Sequence, residues 1–197
     1  TVRNTGVSEE LQAAYLVRQR LINASQGVNL SIWYDWKDDG PDPNENEHRF
    51  GSLRQDLKSK PAYVAALTMT RTLDGYTPVR MLREGPEGYV MLLRGAKQEF
   101  ALALWSTAKG AAFRVPGPRS RVVDMMGGEE PKPVSGERIV YFGTTTRYVL
   151  LGRNDTMALR AAWDWVPPGA LVTGGKATKT RLSVKNPLTV PCEFDIR

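Results

Sequence analysis

Residues 28–36 read Val28-Asn29-Leu30-Ser31-Ile32-Trp33-Tyr34-Asp35-Trp36. Val28, Leu30, Ile32, Tyr34 and Trp36 alternate with Asn29, Ser31, Trp33 and Asp35, the period of two that marks a β-strand. The first set is wholly apolar or aromatic and suits packing under helices. The second is small and polar apart from one indole. That is odd for a solvent face, but it suits the inside of a parallel barrel near its open end.

The flanks support a parallel arrangement. Residues 8–26 read as a helix: Ser8 is placed to cap it, and Glu9 and Glu10 sit in the first turn, where the helix dipole favours anions. Leu11, Ala14, Tyr15, Leu21 and Ile22 form an apolar face, widened by Val17 and Ala24, with Arg18 and Arg20 nearer the far end of the helix. Gly27 fits the position past the helix end that needs positive φ. After the strand, 37–51 is a loop rich in Asp, Asn, Pro and Gly, expected to be solvent-exposed. Residues 60–74 form a second helix, with Pro61 in its first turn, Tyr63, Ala66, Leu67, Thr70 and Leu73 on one face, and Gly75 closing it. Helix, strand, loop and helix in succession is α/β alternation.

From Thr77 onward the texture changes. Short strands are expected at 79–83, 89–93, 100–105, 112–115, 121–125, 139–142 and 147–151, separated by Gly- or Pro-containing breaks, as in an antiparallel sandwich or barrel. Residues 157–165 fit either a strand or a helix. Further strands are expected near 179–185 and 188–196. The fold class expected is α+β, with an α/β segment over 1–76, an antiparallel β-sandwich over 77–153, and a linker leading to a further β-rich segment over 154–197. A single parallel strand cannot form a sheet alone. Either its neighbours belong to a longer chain or it pairs within the β-part. The first residue, Thr1, is no initiator Met and 181–197 reads as strands, so a piece of a longer protein is expected.

Composition narrows the function classes. Of 197 residues, 41% are hydrophobic and 24% charged, ordinary values for a globular chain. No apolar run approaches the ~18 residues of a membrane span, and no apolar stretch follows Thr1-Val2-Arg3-Asn4 as in a signal peptide. Net charge is +6. Residues 1–80 hold 10 Lys/Arg and 10 Asp/Glu, so the excess lies wholly in 81–197, which holds 17 and 11. A basic half raises nucleic acid or an acidic polysaccharide as partner. The cations, however, are spread singly (Arg80, Arg83, Arg94, Lys97, Arg114, Arg119, Arg121), as on solvated strand faces, and no RNA-binding aromatic motif or helix-turn-helix accompanies them. Nucleic acid is therefore disfavoured.

The stretch 7–76 resembles the end of a (β/α)8-barrel glycoside hydrolase of the large clan of retaining barrel glycosidases. Gln12-Ala13-Ala14-Tyr15 and Arg18 carry the resemblance in the first helix. Ser31-Ile32-Trp33-Tyr34-Asp35-Trp36 with Asp38-Asp39-Gly40, then Phe50-Gly51, then Lys60-Pro61-Ala62-Tyr63 continue it. Residues 77–153, with Trp105-Ser106-Thr107 and Val122 to Gly127, resemble the small β-sandwich that often follows such barrels. The resemblance implies that the strand at 28–36 is the eighth of the barrel, that Trp33 floors the subsite at the scissile bond, and that Asp35 accepts from sugar hydroxyls. It implies a carbohydrate ligand, the remainder of the barrel as partner, an extracytoplasmic setting for the parent protein, and no cofactor. It also places both catalytic carboxylates, at the ends of the fourth and seventh strands, before Thr1. Retaining hydrolysis needs two carboxyls ~5 Å apart, and no replacement pair is visible, so the chain alone is expected to be inactive. The alternative is a non-catalytic carbohydrate-binding or structural β-module.

Other residue types carry bland readings beside functional ones. Tyr34 and Trp36 read as packing residues. Asp38, Asp39, Asp42, Asn44 and Glu45 are hard donors that would suit calcium, but EF-hand spacing is absent, and a solvated loop is favoured. His48, the sole histidine, has no metal-binding or triad partner and reads as a loop residue. Cys192 reads as a half-buried strand residue. Gly127-Gly128 and Gly174-Gly175 read as turns, lacking phosphate-loop context. Trp105, Trp163 and Trp165 would suit a carbohydrate platform, though strand aromatics more often serve the core.

Overall fold

The computed structural model describes residues 6–151 except 43, 86, 98, 109, 116–119 and 132–137. The order is α1 (Glu9–Ser25), a single 3-10 turn (Glu47–Arg49), α2 (Pro61–Thr72), then β1 (Tyr76–Arg83), β2 (Tyr89–Gly95), β3 (Phe100–Trp105), β4 (Ala111–Val115), β5 (Arg121–Asp124), β6 (Arg138–Phe142) and β7 (Arg147–Leu151). The class is α+β. Strand order is β1-β2-β3-β7-β5 in one sheet and β4-β6 in a second, and every paired strand runs antiparallel. The seven strands lie where turn residues and alternation put them.

The five-stranded sheet is covered on both faces. Met91, Leu93, Ala101, Ala103, Trp105, Val123 and Tyr148 face the helices and share a core with Ala13, Leu16, Val17, Ala62 and Ala65. Val90, Leu92, Phe100, Leu102, Leu104 and Val149 face the other way, against Val115 of β4 and Val140 and Phe142 of β6. Burial on both faces is why 89–93 and 100–105 read as nearly unbroken apolar runs rather than as alternating ones. Each fully buried Leu, Val or Phe contributes about 1.5–3 kcal/mol.

Two sequence readings change. In α1 the buried residues are Ala13, Ala14, Leu16, Val17, Arg18 and Leu21, while Tyr15 and Ile22 are exposed. In α2 they are Ala62 and Ala65, with Leu67 outward. The helices meet each other and the sheet through alanines, whose small side chains let backbones approach closely. Tyr15, Ile22 and Leu67 thus stay outside a core that Leu16, Val17 and Leu21 fill beside the alanines. Ser8 does cap α1, its Oγ accepting from Leu11 N–H at 3.2 Å, and Gly27 has φ +72°.

The third change concerns 28–36. It forms no ladder. An extended chain becomes a strand only when a neighbour satisfies its N–H and C=O groups. None of the seven described strands, the edge strands β1 and β5 included, pairs with it. The helices lie on the other side from that expected: Ser31, Trp33 and Asp35 are half-buried, whereas Leu30 and Ile32 are each 75% exposed and Tyr34 and Trp36 each 63%.

Candidate functional site

After α1 the chain turns back on its own last residues. Val28 N–H donates to Asn23 O at 2.9 Å and the Asn23 side-chain amide to Ser31 Oγ at 2.9 Å. Residues 35–38 are then gripped by 50–53. Asp35 N–H donates to Phe50 O at 3.3 Å, Ser52 N–H to Asp35 O at 3.0 Å, Leu53 N–H to Trp36 O at 3.0 Å and Asp38 N–H to Leu53 O at 2.9 Å. Ser52 Oγ adds a bond to Trp36 O at 2.9 Å. From α1, the Gln12 amide donates to the carbonyls of Arg49, Phe50 and Gly51 at 3.1–3.4 Å. Gly51 is a steric requirement here: a Cβ would sit 2.1 Å from Asp38 N and 2.3 Å from Lys37 C.

Trp33 and Asp35 line one cleft of about 390 Å³ between this segment and the two helices, together with Trp36, Ser52, Tyr63 and Arg20. The Trp33 ring packs against the helix-side core. Trp33 Nε1 and Asp35 Oδ1 are both shielded from solvent, and neither has a hydrogen-bond partner. The cleft has aromatic walls, the Trp36 and Tyr63 rings meeting edge to face at 5.8 Å, with the polar side chains of Asp35, Ser52 and Arg20 beside them. Such an inventory suits a ligand with hydroxyls and apolar C–H faces. Tyr34 points away, its ring edge-on to Phe50 at 6.1 Å and its hydroxyl donating to Asp39 Oδ2 at 3.4 Å. The Asp39 carboxylate pushes the phenol pKa up, with smaller contributions from desolvation, Glu47 and Asp35.

The loop at 37–51 is not uniformly solvated, as its composition predicts. Asp38 is 4% exposed and Lys60 2%, and Lys60 Nζ meets Asp38 Oδ1 at 2.5 Å. Lys60 also donates to Arg49 O at 3.1 Å, and Asp38 Oδ1 accepts from Gly51 N–H at 3.1 Å. The calcium reading loses Asp38 to this pair, and no three His, Cys, Asp or Glu side chains among the described residues are gathered where they could hold a metal. His48 is a loop residue, its Nδ1 accepting from Asp42 N–H at 3.2 Å, its ring against Gly40.

In the β-part, Trp105 is 1% exposed and stacks on Tyr89 at 5.4 Å. It is a core residue, not a platform. The exposed aromatic is Tyr141 on β6, 70% exposed, opposite Ala112 in the ladder and beside an open groove of about 550 Å³. Gly127-Gly128 is a turn, Asp124 Oδ1 accepting from the N–H groups of Met126 and Gly128. Trp163, Trp165, Gly174-Gly175 and Cys192 lie outside the described residues. No helix among the described residues is long and apolar enough to cross a membrane.

No protein-family model matches the chain, and no curated protein matches it. Among solved structures, the chain is similar to a family 39 glycoside hydrolase from the gut symbiont Bacteroides cellulosilyticus WH2, with 31% identity and a TM-score of 0.65 over 76% of this chain. The match spans 32% of that protein's length.

Proposed function

We propose that the chain is the C-terminal part of a glycoside hydrolase, contributing Trp33 and Asp35 to a sugar subsite and leaving the catalytic carboxylate pair to another part of the protein. In this reading 1–76 is the closing segment of a (β/α)8 barrel, 77–153 an accessory β-sandwich, and 154–197 a linker leading to a further β-rich segment. The observation that carries it is the cleft in which the Trp33 indole N–H and an Asp35 oxygen both lack partners. Both atoms are shielded from solvent, so a sugar hydroxyl satisfies them only as the cleft wall shifts on binding, while the ring faces stack on its C–H groups. Similarity to a family 39 glycoside hydrolase supports carbohydrate as the ligand class.

Two further observations support the missing remainder. Leu30, Ile32, Tyr34 and Trp36 form an exposed apolar row on a segment that pairs with none of the described strands, a face that further protein would cover. Several carboxylates are committed to cations: Glu9 to Arg54, Asp38 to Lys60 and Glu130 to Arg138. Each is held by a cation of the same chain, and none of the three lines the cleft.

The second reading, a non-catalytic carbohydrate-binding β-module, is favoured by exposed Tyr141. Titrating the chain with cellobiose and xylobiose while following indole and amide resonances separates the two. Binding that is lost in Trp33→Ala and kept in Tyr141→Ala supports the subsite, and the reverse supports the β-module. No binding in either background, together with an upstream reading frame that lacks a Glu at the ends of two barrel strands, would sink the glycosidase reading.

A further inference from the structure

Lys60 stands at the N-cap of α2, the position where Ser, Thr, Asp or Asn ordinarily accepts from the first free N–H groups. A lysine offers no acceptor there, and its charge lies at the positive end of the helix dipole. It makes no side-chain cap. Burying an ammonium at such a place is unfavourable unless the ion is fully partnered. Its partners are Asp38 Oδ1 and Arg49 O, and the same Asp38 oxygen holds Gly51 N–H. The pair thus ties the start of α2 to both sides of the strip in which 50–53 grips 35–38. Asp35, whose N–H and C=O are both taken by that strip, is set by it, and Trp33 lies two residues upstream.

We infer that Lys60 and Asp38 are positioning residues: a buried charge clamp whose task is to fix Asp35 and Trp33 in the cleft, beyond stabilising the fold. This rests on the subsite reading for its purpose, but not for its geometry. The clamp works by excluding alternatives. With the ions paired, one arrangement of 35–38, 49–53 and 60 gives the Lys60 ammonium and Asp38 Oδ1 their partners. Any slip of the strip strands a buried ammonium or carboxylate.

The test uses NMR on the full chain. Trp33→Phe assigns the Trp33 indole, and the Trp105 indole, buried in the β-part, serves as internal control. Lys60→Met leaves Asp38 unpaired. Lys60→Met combined with Asp38→Asn removes both charges and keeps an oxygen for Gly51 N–H. The expected result, well below the unfolding temperature, is displaced or broadened Trp33 indole and Asp35 amide signals in both variants, with Trp105 unmoved. Wild-type positions for Trp33 and Asp35 in the double variant would reduce the pair to a stability role and overturn the inference. Hydrogen exchange on the unmodified chain decides the matter if the variants do not fold. Slow exchange at the Asp38, Ser52 and Leu53 amides, matching the β2–β3 ladder, supports the clamp, and fast exchange there rejects it. Wild-type signals that ignore added cellobiose and xylobiose count against the subsite alone, because the sugar-free spectra still judge the clamp.

Discussion

Arg18, inside α1, donates from Nη2 to the backbone oxygen of Ser106 at 2.9 Å and to that of Thr144. Ser106 follows β3 and Thr144 precedes β7, so one buried guanidinium ties the helical part to two loops of the sheet. Desolvation lowers its pKa, yet an arginine stays charged through the physiological range. Hydrogen bonds from a charged donor contribute about 1.5–3 kcal/mol. Arg18→Met is therefore expected to lower the unfolding free energy by about 2–3 kcal/mol, since it keeps the stem and strands both carbonyls. Urea denaturation of the chain measures it. A loss within the ~0.5 kcal/mol typical of surface changes would show that the tie is incidental.

Gly51→Ala is expected to be severe. Its Cβ would meet backbone atoms of Lys37 and Asp38, which cannot swing aside as a side chain would. Overpacking of this kind costs about 1–3 kcal/mol or more, and here relief requires the 50–53 strip to lift from 35–38. Gly6→Ala, with nothing within 4 Å, is the control. Thermal unfolding of the two variants should separate clearly, and equal melting temperatures would mean the strip is looser than its geometry.

Tyr148 gives a pH prediction. Its hydroxyl is buried without a partner, and desolvation raises its pKa far above the 10.0 ordinary for a tyrosine. A group with a raised folded pKa keeps its proton in the native state while the unfolded chain releases it. Stability is therefore whole below about pH 10 and falls as pH rises above it, by about 1.4 kcal/mol per unit. Tyr148→Phe should lack this alkaline loss. At neutral pH it should be neutral or stabilising, because it removes an unsatisfied polar group. Denaturation curves at pH 7 and above pH 10 test both halves, and an alkaline slope unchanged in the variant would assign it elsewhere.

The β-part was legible because its signals are local. Gly and Pro breaks and short apolar runs mark strands without knowledge of what they pack on, and two-sided burial of β2 and β3 only sharpened the runs. The helix faces were less legible. An alanine stripe at Ala13, Ala14, Ala62 and Ala65 carries little hydrophobic signal beside Tyr15, Ile22 and Leu67, although close packing chooses the small residues. The 28–36 segment showed a strand's period, which reports alternation but not the neighbours a strand needs. Asp38 was hidden by its setting, since Asp-Asp-Gly-Pro-Asp reads as solvated whichever Asp is buried. A signal was nevertheless present 22 residues away: Lys60 directly before Pro61 is the wrong residue for a helix N-cap, and a misfit of that kind points to a partner elsewhere. Trp33 and Asp35 stood out because an indole between small polar residues breaks the strand's own pattern.

The uncovered row at Leu30, Ile32, Tyr34 and Trp36 implies a last prediction. A line of exposed apolar side chains on a segment that pairs with none of the described strands is a surface for association with another chain. The chain on its own is expected to self-associate as its concentration rises. Ile32→Lys places a charge in the middle of the row at a side chain 75% exposed, so its effect on stability should stay within about 0.5 kcal/mol while association falls. Analytical ultracentrifugation over a concentration series, with urea denaturation alongside, reads both quantities. Undiminished association in Ile32→Lys would move the sticky surface to another part of the molecule. A large drop in its stability would mean that the row is covered from within the chain, removing one support for a missing remainder.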